Sequence, residues 1–273
     1  MAKTKVVIVR GQNPFDIVDK ALKLIDTEKL ISPNDQVLIK PNYVVAKHPS
    51  TGITTDSQII EGIIKRLKGY KVNDIIVGEG GAGNTDRAFD ITGIREVVNR
   101  QGVRLVNLNQ DSRIKVRVPQ PLALQEIGIA ETALKCTSII NVPTLKVHHT
   151  ALVTLSMKNL MGLILPKSIM HSHINEKIVD LASLFKDKVK LNLIDGLIGA
   201  ELHETSGNPV EMNLVIAGRD MVAVDTVGTT VMGIDPNRVK YLQLAEERGL
   251  GTSNIDEIEI VGESIENVKR KFR

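Results

Sequence analysis

Eight short apolar runs punctuate the chain: KVVIVR (5–10), QVLIKP (36–41), DIIVGE (74–79), VRLVNL (103–108), TSIINV (137–142), KLNLID (190–195), NLVIAG (213–218) and IEIVGE (258–263). Each is dominated by Val, Ile and Leu and is bounded by polar or turn-forming residues, the pattern of a strand covered on both faces. Between several of them, apolar residues recur at i, i+3 and i+4. This spacing predicts helices over Phe15–Ile25, Ser57–Leu67, Arg87–Asn99 and Val222–Met232. Strands alternating with helices predict an α/β fold, a layered and mostly parallel sheet flanked by helices and joined by right-handed crossovers. Lys115–Val118, ahead of PQPLAL, reads as a peripheral strand. Residues 1–273 read as one domain, and any division into two closely packed subdomains is expected near 110–120.

Composition narrows the class. A chain of 273 residues can bury a substantial core, and with aromatics at 3% and no Trp that core has to be aliphatic. A formal net charge of +3 gives no reason to expect nucleic acid, and the basic VKRKFR at the C-terminus reads as a solvated helix end. Cys136 is the only cysteine, so the chain forms no internal disulfide and ligates no iron–sulfur cluster through cysteines of its own. Its surroundings, LKCTSIINV, make it a small buried hydrophobe. MAKTKVVIVRG lacks the apolar stretch of a signal peptide, and no run approaches the roughly 20 apolar residues of a membrane span. The expectation is a cytoplasmic protein with no membrane partner.

Open α/β sheets bind ligands at the C-terminal ends of their strands. Here Lys40-Pro41-Asn42, the Gly-rich Glu79–Thr85 stretch, Asn141 with Lys146, and Asp195-Gly196 all follow predicted strands, which points to one shared cleft. The segment Asn141–His173 concentrates four of the six histidines and three lysines among Leu, Val, Ile and Met. Charged groups are costly to bury without partners, so this clustering carries information. Imidazoles carry protons or ligate metals near neutral pH; lysines hold anions or, once desolvated, act as nucleophiles. The candidates for chemistry are His148, Lys158, Lys146 and Asp225, and the candidate metal ligands are His149, His171 and His173. If residues 149–163 are helical, Lys158 and Gly162 share a face. The alternative is that His148 and His149 cap an element while the lysines snorkel.

Candidates for holding a cofactor or anion are Lys40, Asn42, Thr54, Thr55, Gly80, Gly81, Gly83, Asn159 and Asp195. Glycines after a strand let backbone N–H groups approach an anion, although a plain turn would use them too, and no Lys-Ser/Thr follows to make a P-loop. Thr54 and Thr55 precede a helix and either help to start it or face the cleft. Asp195 and Asp225 lie in apolar surroundings and call for a partner such as Lys40, Lys146 or Lys158, whether as braces or as catalysts. Glu201, His203 and Glu204 read as a solvated loop ahead of a metal site. The expected occupant is a small anion, a carboxylate or phosphate, with a divalent metal or nucleotide-like cofactor left open.

IKPN (39–42), Thr54-Thr55, VGEG (77–80), NVPTLKVHH with MKNLMG, IDG (194–196) and RDMVAVDTVGTTVMGIDP (219–236) together resemble domain of unknown function 362. Members of that family are sometimes fused to ferredoxin-type iron–sulfur modules, which implies an iron–sulfur or redox protein as a partner and allows a non-catalytic role. His148–His173 is more distantly similar to the catalytic domain of lactate racemase, which uses a nickel-pincer nucleotide. That likeness implies His148 as a proton carrier, Lys158 as the anchor of the pincer, His173 as the nickel ligand and Lys40 in place of a substrate-contacting Arg. It implies in turn a racemase or epimerase of a hydroxy acid. Gly83-Asn84-Thr85 stands where that family has a second catalytic His, and the glycine-arginine lead-in before the anchoring lysine is absent.

Overall fold

The structure, a computed structural model, describes residues 3–273. In chain order the first half contains β1 (Thr4–Arg10), α1 (Pro14–Leu24), β2 (Gln36–Pro41), α2 (Ser57–Gly69), β3 (Asp74–Glu79), α3 (Thr85–Ile91), α4 (Ile94–Gln101), β4 (Arg104–Asn107), β5 (Arg113–Arg117), β6 (Glu126–Ala130) and α5 (Glu131–Lys135). There follow β7 (Ser138–Val142), β8 (Thr144–His148), β9 (Leu152–Thr154), α6 (Ser156–Asn159), β10 (Ile164–Leu165), α7 (Ile174–Phe185), β11 (Val189–Glu201), β12 (Asn208–Gly218), α8 (Met221–Val231), α9 (Lys240–Glu247), β13 (Ile258–Gly262) and α10 (Ile265–Val268).

The main sheet has ten strands, with the path β13-β1-β12-β11-β7-β2-β3-β4 and with β8 paired to β11 and β9. It is mostly parallel; β12 runs antiparallel to both its neighbours, and β9 antiparallel to β8. Side chains alternate cleanly between two cores. Val6 and Ile8 of β1, Leu38 of β2, Ile76 of β3 and Ile216 of β12 pack against α7, α8 and α9. Val7, Val9, Val37, Ile39, Val77 and Val215 pack on the other side against α1, α2 and α4. Burial on both faces explains why these strands read as continuous apolar runs. A small antiparallel sheet, β10-β6-β5, adds Ile129 and Ile164 to the first core and contains the peripheral strand expected near 115.

Two expectations change. The helix predicted over Arg87–Asn99 is two helices, because Gly93 takes a left-handed φ of 73° at the start of α4. Residues 149–163 are not one helix: a tight turn leads to β9, then to the single turn of α6 and a 3-10 turn over Leu160–Leu163. Lys146 and His148, two residues apart on β8, therefore share a strand face, and Thr154 lies opposite Lys146 in the hairpin. Among the described residues no helix is long and apolar enough to cross a membrane.

Candidate functional site

A polar floor crosses the sheet where its parallel strands end. Lys40 of β2 lies in register with Asn141 of β7, and Asn141 with Asn192 of β11. All three are buried. Asn141 Nδ2 donates to Asn192 Oδ1 (3.1 Å) and to the carbonyl of Ser156 (2.8 Å), joining the floor to α6. Lys40 Nζ donates to Glu79 Oε2 (2.9 Å), to the carbonyl of Pro41 (2.9 Å) and to Asn159 Oδ1 (3.3 Å). Those three acceptors use all the donors of an ammonium. Burial pushes the Lys40 ammonium below its ordinary pKa, and the Glu79 carboxylate pulls it partly back. Lys40 thus belongs to the foundation and has no donor left for a ligand, which corrects its assignment as an anion contact.

Above the floor opens a cavity of about 480 Å³. Its charged lining comprises Glu79, Lys146, Lys158, Lys167 and Glu204, with His148, His149 and His171. Asn42 and Asn159 also reach it, held to each other through Asn42 Nδ2 and Asn159 Oδ1 (2.8 Å). Lys146 Nζ donates to Asn42 Oδ1 (2.9 Å) and to the carbonyl of Ile53 (2.8 Å). Burial, reinforced by the nearby Lys158 charge, lowers its pKa to about 7. Lys167 donates to Asn109 Oδ1 (2.7 Å) and the carbonyl of Ile164 (3.1 Å), and burial lowers it to about 8. Lys158 is half-buried on α6, and burial lowers it to about 8 as well. Among the described residues its ammonium has neither a hydrogen-bond partner nor a salt bridge.

The histidines divide. His148, 8% exposed at the end of β8, accepts the backbone N–H groups of Thr150 and Ala151 at Nδ1, both at 3.1 Å. His149 is exposed and stacks on His148, with centroids 4.7 Å apart; its Nδ1 donates to Glu204 Oε1 (2.6 Å). Burial pushes Glu204 up, but its own backbone N–H and the backbone and ring N–H groups of His149 outweigh it and hold the carboxyl at about 2. His148, His149 and Glu204 form the one group among the described residues in which three potential metal donors lie within 4.8 Å of one another. His171 lines the cavity from an exposed position, and His173 is the exposed, left-handed residue (φ 50°) that opens α7, outside the lining. Neither joins that group. A pincer nucleotide needs its anchor and its nickel ligand in one place; Lys158 lines the cavity, but His173 does not. The residues singled out for that group do not fit it.

Several candidates are braces. Asp225 of α8 accepts the N–H groups of Ser156 (2.7 Å) and Met157 (3.0 Å) and the hydroxyl of Tyr241 (3.3 Å), so it holds the start of α6 and lies outside the cavity lining. Asp195 accepts the N–H of Asp56 (2.7 Å) and of Leu197 (3.0 Å), tying the start of α2 to β11. Burial raises both carboxyls to about 7. Thr55 Oγ1 accepts from the N–H of Asn42 and donates to the carbonyl of Val142, and Thr54 Oγ1 donates to the carbonyl of Lys47. Gly80 and Gly81 line the cavity, yet close packing already requires them. A Cβ at Gly80 would stand 2.6 Å from the carbonyl oxygen of Gly162, and one at Gly81 2.4 Å from that of Tyr43. Gly83 is exposed and outside the lining.

Sequence reasoning missed Glu79, Lys167, Thr154 and the site role of Glu204. Glu79 was legible as the last residue of a strand beside a Gly-rich loop, since a carboxylate there needs a cation. Glu204 reads as part of a solvated loop ahead of a metal site, and it reaches His148 and His149 because β11 returns beside β8.

Known proteins align with this architecture. A thylakoid-associated protein of Synechocystis is 21% identical over 230 residues, covering 81% of this chain and 70% of the relative. The solved lactate racemase apoprotein of Thermoanaerobacterium thermosaccharolyticum shares the fold with a TM-score of 0.54 at 13% identity over 86% of this chain; the chain spans 58% of the racemase's length. The sequence model of the domain of unknown function DUF362 matches residues 37–230, well over half of the protein, and the chain belongs to that family.

Proposed function

We propose that the cavity binds a small organic anion, a carboxylate or phosphate, as substrate or cofactor of an enzyme. The observation that carries this reading is Lys158. Among the described residues its ammonium stands in the cavity without a partner, while Lys146 and Lys167 of the same lining each keep one uncommitted donor. Of the two carboxylates in the lining, Glu79 is balanced by its ion pair with Lys40, and Glu204 alone is left against three lysines, so the cavity keeps a positive excess. Three desolvated lysines in one cavity favour an anion strongly, since each ammonium regains in the ligand the partner it lost from water. The cavity is also within the usual size of small-molecule sites.

The test is calorimetric titration of the protein with oxalate and with inorganic phosphate, repeated on Lys158→Gln. Lys158→Gln should weaken binding about 10- to 100-fold, the range for a charge-assisted contact of about 1.5–3 kcal/mol. Binding of neither anion, or equal binding by the variant, would overturn the reading.

A further inference from the structure

His148 is the one cavity histidine whose protonation is set by the backbone. Thr150 and Ala151 each direct an N–H at its Nδ1 from 3.1 Å, and a backbone N–H can only donate. Nδ1 must therefore present its lone pair. In the neutral ring the proton then sits on Nε2, and the opposite ring orientation is excluded because a carbon cannot accept those two bonds. Three roles separate on this ground. Ligating a metal through Nε2 would require a ring stripped of both protons, since the usual metal-bound histidine keeps its proton on the far nitrogen. Accepting a proton would put it on Nδ1 and break two backbone hydrogen bonds. Donating from Nε2 costs nothing.

Among the described residues that donor has no partner within hydrogen-bond distance. Glu204 Oε1 lies 3.6 Å away, and that oxygen already receives the His149 Nδ1 bond at 2.6 Å. The ring is more than nine-tenths buried and lines the same cavity as Lys158. Facing it are Lys158 from α6, Lys146 from its own strand, His149 from the adjoining turn and Glu204 from the loop after β11. Burial, followed by the Lys158 charge, opposes a positive charge on His148; the Glu204 carboxylate favours one but is outweighed, and the pKa stands far below the ordinary value.

We infer that the two backbone bonds at Nδ1 hold His148 as a hydrogen-bond donor through Nε2–H, which binds a carboxylate or carbonyl oxygen of the ligand, rather than as a proton acceptor or a metal ligand. The inference rests on the anion-binding reading of the cavity for its partner, while its geometric premise stands apart from it. A neutral imidazole aimed at a ligand oxygen stabilises negative charge on that oxygen without first losing a proton, as the neutral histidine of triosephosphate isomerase does. The ligand class is thereby narrowed to anions that present a second oxygen beside the group held by Lys158, as a dicarboxylate or a 2-oxo acid does.

Nitrogen-15 NMR of histidine-labelled protein tests this without a substitution. The expected spectrum has His148 with a lone-pair nitrogen at Nδ1 and a protonated nitrogen at Nε2, unchanged from about pH 5 to about pH 8, the window in which an ordinary histidine titrates. Zinc should leave that pattern intact, and oxalate should shift Nε2 alone. A ring that titrates in the window, or an Nε2 that loses its proton to zinc, overturns the inference. Oxalate that binds without moving the Nε2 signal overturns the ligand contact while leaving anion binding intact. If oxalate and phosphate both fail to bind, the anion reading falls, and the tautomer measured in the free protein still decides the premise.

Discussion

Glu79→Ala puts the foundation of the site to the test. The carboxylate and the Lys40 ammonium are 2.9 Å apart, with side-chain exposures of 3% and 0%. Glu79 also accepts the backbone N–H of Tyr43 at 3.1 Å and of Gly80 at 2.7 Å. Truncation leaves a buried ammonium with only the Pro41 carbonyl and Asn159 Oδ1 for company, and stranding one member of a buried pair costs about 3–5 kcal/mol. Because Glu79 lines the cavity, water can reach the two orphaned N–H groups, so their loss adds little and a total of about 4 kcal/mol is expected. At about 2–4 °C per kcal/mol, the melting temperature should fall by about 10 °C. Replacing both members, Lys40→Met with Glu79→Gln, removes the stranded charge and should cost about 2 kcal/mol less than the two single changes combined. Urea unfolding followed by circular dichroism at pH 7 measures the parent and the four variants, with unchanged m values as the control. A Glu79→Ala cost below about 1 kcal/mol, or strict additivity in the double variant, would refute the account of the floor.

Three further outcomes follow from the same geometry. Lys158 is lowered to about 8, so the affinity for oxalate should hold below that pH and fall up to about tenfold per unit above it, which titrations across the range will show. The stability of the ligand-free protein should move the opposite way: the unfolded lysine titrates near 10.5 and binds more protons than the folded one between about 8 and 10.5, so this group's contribution rises with pH across that window, and Lys158→Gln should remove it. Gly162→Ala should destabilise by about 1–3 kcal/mol in urea unfolding, because a Cβ there would stand 1.9 Å from Glu79 Oε1 and 2.6 Å from Lys40 Nζ, and neither of those ends is free to move; a neutral substitution would mean the pair is looser than its burial indicates.

The sheet was legible because its strands are buried on both faces, so each appears as an apolar run whatever its neighbours. All eight runs became strands of the main sheet. The hairpin of β8 and β9 was not legible, since Lys146 and His148 place two polar groups on one strand face and break the apolar pattern that would mark it. The cluster from Lys146 to Asn159 was visible as charge in apolar surroundings, but the same signal cannot tell a ligand contact from a brace. Lys40, Asp195 and Asp225 give it as strongly as Lys158 does, and only their partners, drawn from distant parts of the chain, separate them.

Those partners order the lysines by what they have left to give. An ammonium carries three donors. Lys40 has spent all of them on Glu79, Pro41 and Asn159, Lys146 and Lys167 have each spent two, and Lys158 has spent none. The gradient runs from the sheet outward into the cavity, so the most committed cation sets the position of Asn159, and Asn159 is the residue after Lys158 on the same helical turn. Asp225 grips that turn from its other end through Ser156 and Met157. Lys158 is thereby held at both sides by fully satisfied buried groups while its own head stays unsatisfied. A fold that needed this lysine only for solubility would have no use for that support; holding a ligand against one fixed charge does.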